Sequence, residues 1–99
     1  MDKNERRALY RKAIEMWGVP AQVMMVVEDV GEMLNAVAKF NRDRSTPQEI
    51  ITELVDVWIL MEQMAVVFGV EQFEKEKEYK LQRLKERLEK NYKLTKENK

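Results

Sequence analysis

The chain has 99 residues, with basic and acidic side chains in equal number (18 of each) and neither cysteine nor histidine. The charge balance speaks against nucleic acid or an acidic membrane as the main partner. The missing residue types exclude disulfides, thiolate chemistry, histidine general bases and histidine-held zinc or di-iron centres. What chemistry remains must run on carboxylates, Lys, Arg, Tyr and bound metal.

The length predicts one small domain over 1–99, all-α, with four helices and little else. The polar N-terminus MDKNERRALYRK has no apolar signal core. The apolar run from Leu54 to Phe68 is shorter than the ~20 residues a membrane span needs, and it contains Asp56, Glu62 and Gln63. A soluble, cytoplasmic protein is expected.

The first predicted helix covers about 4–17, with Leu9, Ala13, Met16 and Trp17 along one side. Gly18 ends it, and Pro20 suits the first turn of the next. The second covers about 20–41, with an apolar stripe of Val23, Val26, Val27, Val30, Met33, Leu34 and Val37. Glu28, Asp29 and Glu32 lie beside that stripe. Gly31, inside the helix, costs about 1 kcal/mol relative to Ala; it either leaves room for metal or substrate beside the acids or permits close packing against another helix.

A turn follows, FNRDRSTPQE. Thr46 with Glu49 fits a capping box and Pro47 the first helical position, so Glu49 reads as a cap. The third helix, from Pro47 to about 68, is apolar on nearly every side. Such a helix must be covered on every side, and three partners of this size fall short, which predicts a second copy packed against it. Asp56 lies in that apolar setting. Buried there, it would have to be paired with a distant cation, protonated or metal-bound. Gly69 closes this helix. The last helix, about 71–92, carries Phe73, Leu81, Leu84 and Leu88 on a narrow stripe, and the tail from about residue 93 is expected to fray.

The acids carry the functional signal. Asp29 and Glu32 stand three apart, with Glu28 four before Glu32, and Glu53 and Asp56 are again three apart. Such spacings put each group on one helical face, and a short turn brings the two helices alongside. Like charges so placed repel. No Lys or Arg occurs between Lys12 and Lys39 or between Arg44 and Lys75, so a divalent cation is the economical neutraliser.

DVGE at 29–32 followed by ELVD at 53–56 resembles the Glu-x-x-Glu and Glu-x-x-Asp signature of the MazG-like nucleotide pyrophosphohydrolases, an all-α superfamily that includes the dimeric dUTPases and phosphoribosyl-ATP pyrophosphohydrolase. WGVPAQ before the first motif, ELVDVWILMEQM at the second and EYKLQRLKER after it extend the resemblance over about 17–87. It implies a four-helix domain assembling into a shared bundle, as a homodimer or homotetramer. It also implies Mg²⁺-dependent hydrolysis of a nucleoside triphosphate to a monophosphate and pyrophosphate, with Mn²⁺ as a possible substitute.

By the same resemblance Asp29, Glu32, Glu53 and Asp56 hold the metal, and Glu28 or Glu32 is the base. Lys77, Lys80 and Arg83 are the phosphate candidates. Trp17, Gln22 and Trp58 are candidates for the nucleobase, with core packing the competing role for the tryptophans, above all Trp58. Asp29 stands where the family usually has Glu, and no Asn follows the lysines at the family's offset. Two other readings stand beside the enzyme: a metal- or nucleotide-binding regulator of the same fold without turnover, and a non-catalytic helical dimerisation module.

Overall fold

The computed structural model describes residues 1–97. Four helices make up the described chain: α1 (Lys3–Trp17), α2 (Val19–Phe40), α3 (Pro47–Phe68) and α4 (Val70–Glu97). By packing, the chain divides into two compact units, Met1–Phe68 and a second that begins at Gly69.

Each boundary of the first unit has a local cause. Asp2 caps α1, its carboxylate accepting the Glu5 N–H at 2.8 Å, which satisfies one of the orphan donors of the first turn. Gly18, at φ 86°, takes the left-handed conformation that ends α1 and starts α2, and its N–H reaches the Ile14 carbonyl at 2.8 Å. The end of α2 is a Schellman closure: Asp43 is left-handed (φ 56°), its N–H bonds Phe40 O at 3.0 Å, and the Arg44 N–H bonds Lys39 O at 2.8 Å. The Ser45 hydroxyl then donates to Ala36 O at 2.8 Å. The capping box is formed as expected, with Thr46 N–H on Glu49 Oε2 at 3.1 Å and Glu49 N–H on Thr46 Oγ1 at 3.2 Å.

In this unit α3 packs against both α2 and α1, and α1 also touches α2. Tyr10, Leu60 and Ala65 are its buried hydrophobics. Gln22 of α2 and Gln63 of α3 are buried too, and the Gln63 amide donates to the Gln22 carboxamide oxygen.

Several expectations about faces are corrected. On α1, Leu9, Met16 and Trp17 are exposed, and the packed side is Arg6, Tyr10 and Ala13; Arg6 and Tyr10 have polar tips with partners on α3, so their stems are buried in place of the aliphatics. On α2, Val27, Leu34 and Val37 of the expected stripe are exposed, whereas Val23, Val26, Val30 and Met33 are half-buried and share the packed side with Gln22, Asp29 and Ala36. The packed side of that helix therefore takes in one edge of the apolar stripe and leaves the other edge open.

Burial along α3 is graded. From Leu60 to Val67 every residue is buried or half-buried, but Ile51, Leu54, Val55, Trp58 and Ile59 nearer the N-terminus are exposed. Asp56 is exposed with them, not buried as its apolar neighbours predict. Within one chain, α1 and α2 cover only part of the circumference of α3. Trp58 is 50% exposed rather than core, with the Arg6 guanidinium 5.2 Å from its ring centroid.

In the second unit α4 begins one residue before the expected start and runs five past the expected end at Tyr92. The segment expected to fray is thus helical to Glu97, while Asn98 and Lys99 lie outside the described residues. No Gly or Pro follows Tyr92 to stop it, and Lys96 suits the negative end of the helix dipole, with its ammonium 5.5 Å from the Tyr92 ring. Leu81, Leu84 and Leu88 are exposed along it. No helix among the described residues is long and apolar enough to cross a membrane.

Candidate functional site

The α2–α3 hairpin brings the two acidic motifs together. Glu53, on the first turns of α3, is half-buried, and its Oε2 is shut off from water with no hydrogen-bond partner. Removal from water pushes the Glu53 carboxyl above its ordinary range, and the charges of Glu32, Asp56 and Asp29, in that order, push it further. The other three predicted metal ligands are therefore within electrostatic reach of Glu53. Asp29 is half-buried on the packed face of α2, and Glu28, Glu32 and Asp56 are exposed. Among the described residues no group of three or more such side chains stands gathered around a common point as a ligand set. Glu53 is the inner member, and the exposed Glu32 and Asp56 have freedom to turn.

Does a divalent cation fit these residues? Hard carboxylate oxygens are the donors Mg²⁺ prefers, and a shielded carboxylate oxygen without a partner is costly unless something positive meets it. The donor set and the orphaned Glu53 Oε2 both fit.

Next to these acids, on the side of the turn, lies a cavity of about 320 Å³ lined by Glu32, Asn35, Ala36, Lys39, Arg44, Ser45, Glu49 and Glu53. Among the described residues neither the Lys39 nor the Arg44 side chain has an ion-pair or hydrogen-bond partner. Sequence reasoning did not assign these two cations to the site. The signal was present: they are the basic residues that bound the two cation-free stretches, hence the nearest in sequence to each acidic motif.

The predicted phosphate residues are on α4. Lys77, Lys80 and Arg83 belong to the second unit, where Lys77 pairs with Glu74 at 2.6 Å and the Arg83 guanidinium lies 5.9 Å from the Tyr79 ring centroid. The predicted nucleobase residues divide. Trp17 is 62% exposed and, with Ala21, Gln22 and Met25, lines an apolar depression of about 400 Å³. Gln22 is on its wall, but its carboxamide oxygen is taken by Gln63.

A second carboxylate centre was not foreseen. Glu62 accepts from Arg6 Nε at 2.8 Å and from the Tyr10 hydroxyl at 2.7 Å, with Arg6 also on Trp58. Burial pushes the Glu62 carboxyl up, but the hydrogen bonds from Arg6 and Tyr10 and the charge of Arg6 outweigh it and hold it below its ordinary range. Burial, then the bond to Glu62, pushes the Tyr10 hydroxyl up to about 12. This centre joins α1 to α3 and holds its charge neutralised.

At Gly31 a Cβ would meet nothing within 4 Å, so no other helix of the chain packs closely there and the space beside it is open. No family model, curated protein or solved structure matches the chain.

Proposed function

We propose that the protein is a MazG-like nucleoside triphosphate pyrophosphohydrolase that works as a homo-oligomer. The observation that carries the reading is the convergence of Asp29, Glu32 and Asp56 on Glu53, whose shielded oxygen has no partner. Asp29, Glu32, Glu53 and Asp56 hold Mg²⁺. When bound, the ion supplies positive charge to phosphate oxygens and makes water more acidic.

The chain's own residues do the rest. Water cleaves the link between the α- and β-phosphates, leaving nucleoside monophosphate and pyrophosphate, and the water's proton passes to Glu28 or Glu32. Both are exposed at the site and free to receive it. Trp17, at the rim of its apolar depression, stacks the nucleobase. The Asp at position 29 shortens one ligand by a methylene relative to the family's usual Glu, and the neighbouring Glu28 offers the longer reach.

Half-exposed Ile51, Leu54, Val55, Trp58 and Ile59 on α3, with Val27 and Leu34 on α2, support a second copy as the cover for this surface. Light scattering at micromolar concentration is expected to give a dimer or tetramer. The decisive experiment is pyrophosphate release from a panel of canonical and modified nucleoside triphosphates, with Mg²⁺ and with EDTA. Release that needs the metal supports the enzyme. Binding of metal and nucleotide without release points to the regulator, and indifference to both points to the dimerisation module.

A further inference from the structure

The cavity at the turn contains charges of both signs in an unusual state. Glu32 and Glu53 stand at one end and Lys39 and Arg44 at the other, yet the cations and the acids have not paired. Seven residues separate Glu32 from Lys39 on α2, about 10 Å along a helix axis at 1.5 Å per residue, too far for a direct ion pair.

The cations are held as a pair by the backbone. The Arg44 N–H bonds the Lys39 carbonyl at 2.8 Å, and Ser45, fixed to Ala36 O, keeps the loop on α2. Glu49, the remaining acid on the cavity wall, is occupied by its cap. A ligand that satisfies both ends carries a divalent cation for the carboxylates and anionic oxygens for Lys39 and Arg44. A metal-bound polyphosphate has that chemistry, and a planar guanidinium beside an ammonium suits its terminal oxygens.

We infer that Lys39 and Arg44, lining one cavity with Glu32 and Glu53, form the subsite for the terminal phosphates of a metal-bound polyphosphate. This rests on the pyrophosphohydrolase reading for its metal, and the chemistry is shared by a nucleotide's polyphosphate and an inorganic one. Both substituted side chains are exposed, Lys39 in the last turn of α2 and Arg44 in the turn after it, and the closure itself is made by backbone groups, so the variants keep the fold.

The test is calorimetric binding of inorganic tripolyphosphate in Mg²⁺ to the wild type, to Lys39→Gln/Arg44→Gln, to Arg44→Gln alone and to Lys77→Gln/Lys80→Gln/Arg83→Gln, with a melting curve for each. The turn double variant is expected to bind at least about tenfold more weakly, as loss of charge-assisted contacts implies. Arg44→Gln should show part of that loss and the α4 variant should bind as wild type. Full binding by the turn variant, or loss confined to the α4 variant, overturns the subsite. A nucleoside triphosphate run in parallel separates the sources: tighter binding than tripolyphosphate, weakened by the same turn variant, identifies the nucleotide, and equal binding identifies inorganic polyphosphate. Wild type that binds tripolyphosphate through Lys39 and Arg44 but releases pyrophosphate from no nucleotide keeps the subsite and removes the enzyme. Metal-dependent release with a KM indifferent to Lys39 and Arg44 keeps the enzyme and removes the subsite.

Discussion

Glu53 and Glu62 are the same residue on the same helix, nine positions apart, and their circumstances are opposite. Nine residues at 3.6 per turn is two and a half turns, so the two side chains leave α3 on opposite sides. Glu62 meets α1, where Arg6 and Tyr10 supply a cation and a hydroxyl within 2.8 Å. Glu53 meets α2, where it finds Asp29 and Glu32, and its shielded oxygen finds nothing. A carboxylate whose partners belong to the chain is complete on folding and serves the fold. One that is crowded by other acids makes the folded state less stable than it need be, and that crowding is what supports the proposed cation site.

The largest effects should separate the two on activity. Glu53→Gln and Asp56→Asn are each expected to lower metal-dependent pyrophosphate release by on the order of 10²-fold or more, as loss of a metal-holding group implies, while Glu62→Gln leaves it within a few-fold. The same division should appear in melting. Mg²⁺ at a hundred times its dissociation constant stabilises a single-site protein by about 2.7 kcal/mol, a gain Glu62→Gln keeps and Glu53→Gln loses. In EDTA, Glu53→Gln and Asp56→Asn should be as stable as wild type or more so, because each relieves repulsion. Strong destabilisation of either variant in EDTA would make these acids part of the scaffold, and the comparison would collapse.

The next effect is on the fold itself. Removing Glu62 strands the hydrogen-bond donors of Arg6 and Tyr10, and a lost charge-assisted bond in a half-buried place costs about 2 kcal/mol. Tyr10→Phe, which removes one hydroxyl from the same centre, should cost about 1 kcal/mol. For a domain of this size each kcal/mol is worth roughly 4–8 °C in Tm, so thermal melts in EDTA resolve both. Equal stability of Glu62→Ala and wild type would show that the centre contributes nothing to holding α1.

Acid should move the two carboxylates in opposite senses. The folded pKa of Glu62 lies below the ordinary 4.5; its stabilisation is complete above 4.5 and is lost as pH falls from there through the folded value. The folded pKa of Glu53 lies above 4.5; its cost is felt in full above the folded value and disappears as pH falls through that value toward 4.5. Metal-free protein should therefore gain stability on acidification toward 4.5 and lose it below. Denaturant melts across this range should show the rising limb gone in Glu53→Gln and the falling limb reduced in Glu62→Gln. A limb that persists unchanged in its own variant assigns it to other groups.

How far the sequence could reveal this difference depended on whether the signal was local. The capping box at Thr46 and Glu49, the stop at Gly18 and the extent of α3 are set by neighbours within four residues, and the structure has them where the sequence puts them. The acidic motifs were legible because helical spacing and a short turn suffice to bring 29, 32, 53 and 56 near one another. Glu62 was not, since Arg6 lies 56 residues away and nothing local announces the pairing. Asp56 is exposed in the single chain because apolar neighbours in sequence imply burial only if other helices cover them, and α1 and α2 leave that end of α3 open. Lys39 and Arg44 were passed over for a different reason: Lys39 is in the last turn of α2, and the conformation of the turn that follows, through the left-handed Asp43, decides that Arg44 joins it on the cavity wall.

The smallest predicted effect concerns the outer side of the acidic hairpin. Gly31 lies between Asp29 and Glu32, and a Cβ there meets nothing within 4 Å, so nothing in the single chain requires glycine. An exposed Gly in a helix interior is less favourable than Ala by about 1 kcal/mol, mostly through the freedom it loses on folding. Gly31→Ala should therefore raise the stability of the metal-free protein by roughly 0.5–1 kcal/mol and leave pyrophosphate release unchanged, in contrast to changes at the acids on either side. The informative failure is specific. If Gly31→Ala instead lowers stability or weakens association in light scattering, the backbone of another copy lies against α2 at this point, and the acids of one protomer face its partner. Loss of release with stability and association intact would mean that the added methyl occupies space needed by metal or substrate, and Gly31 would then belong to the site.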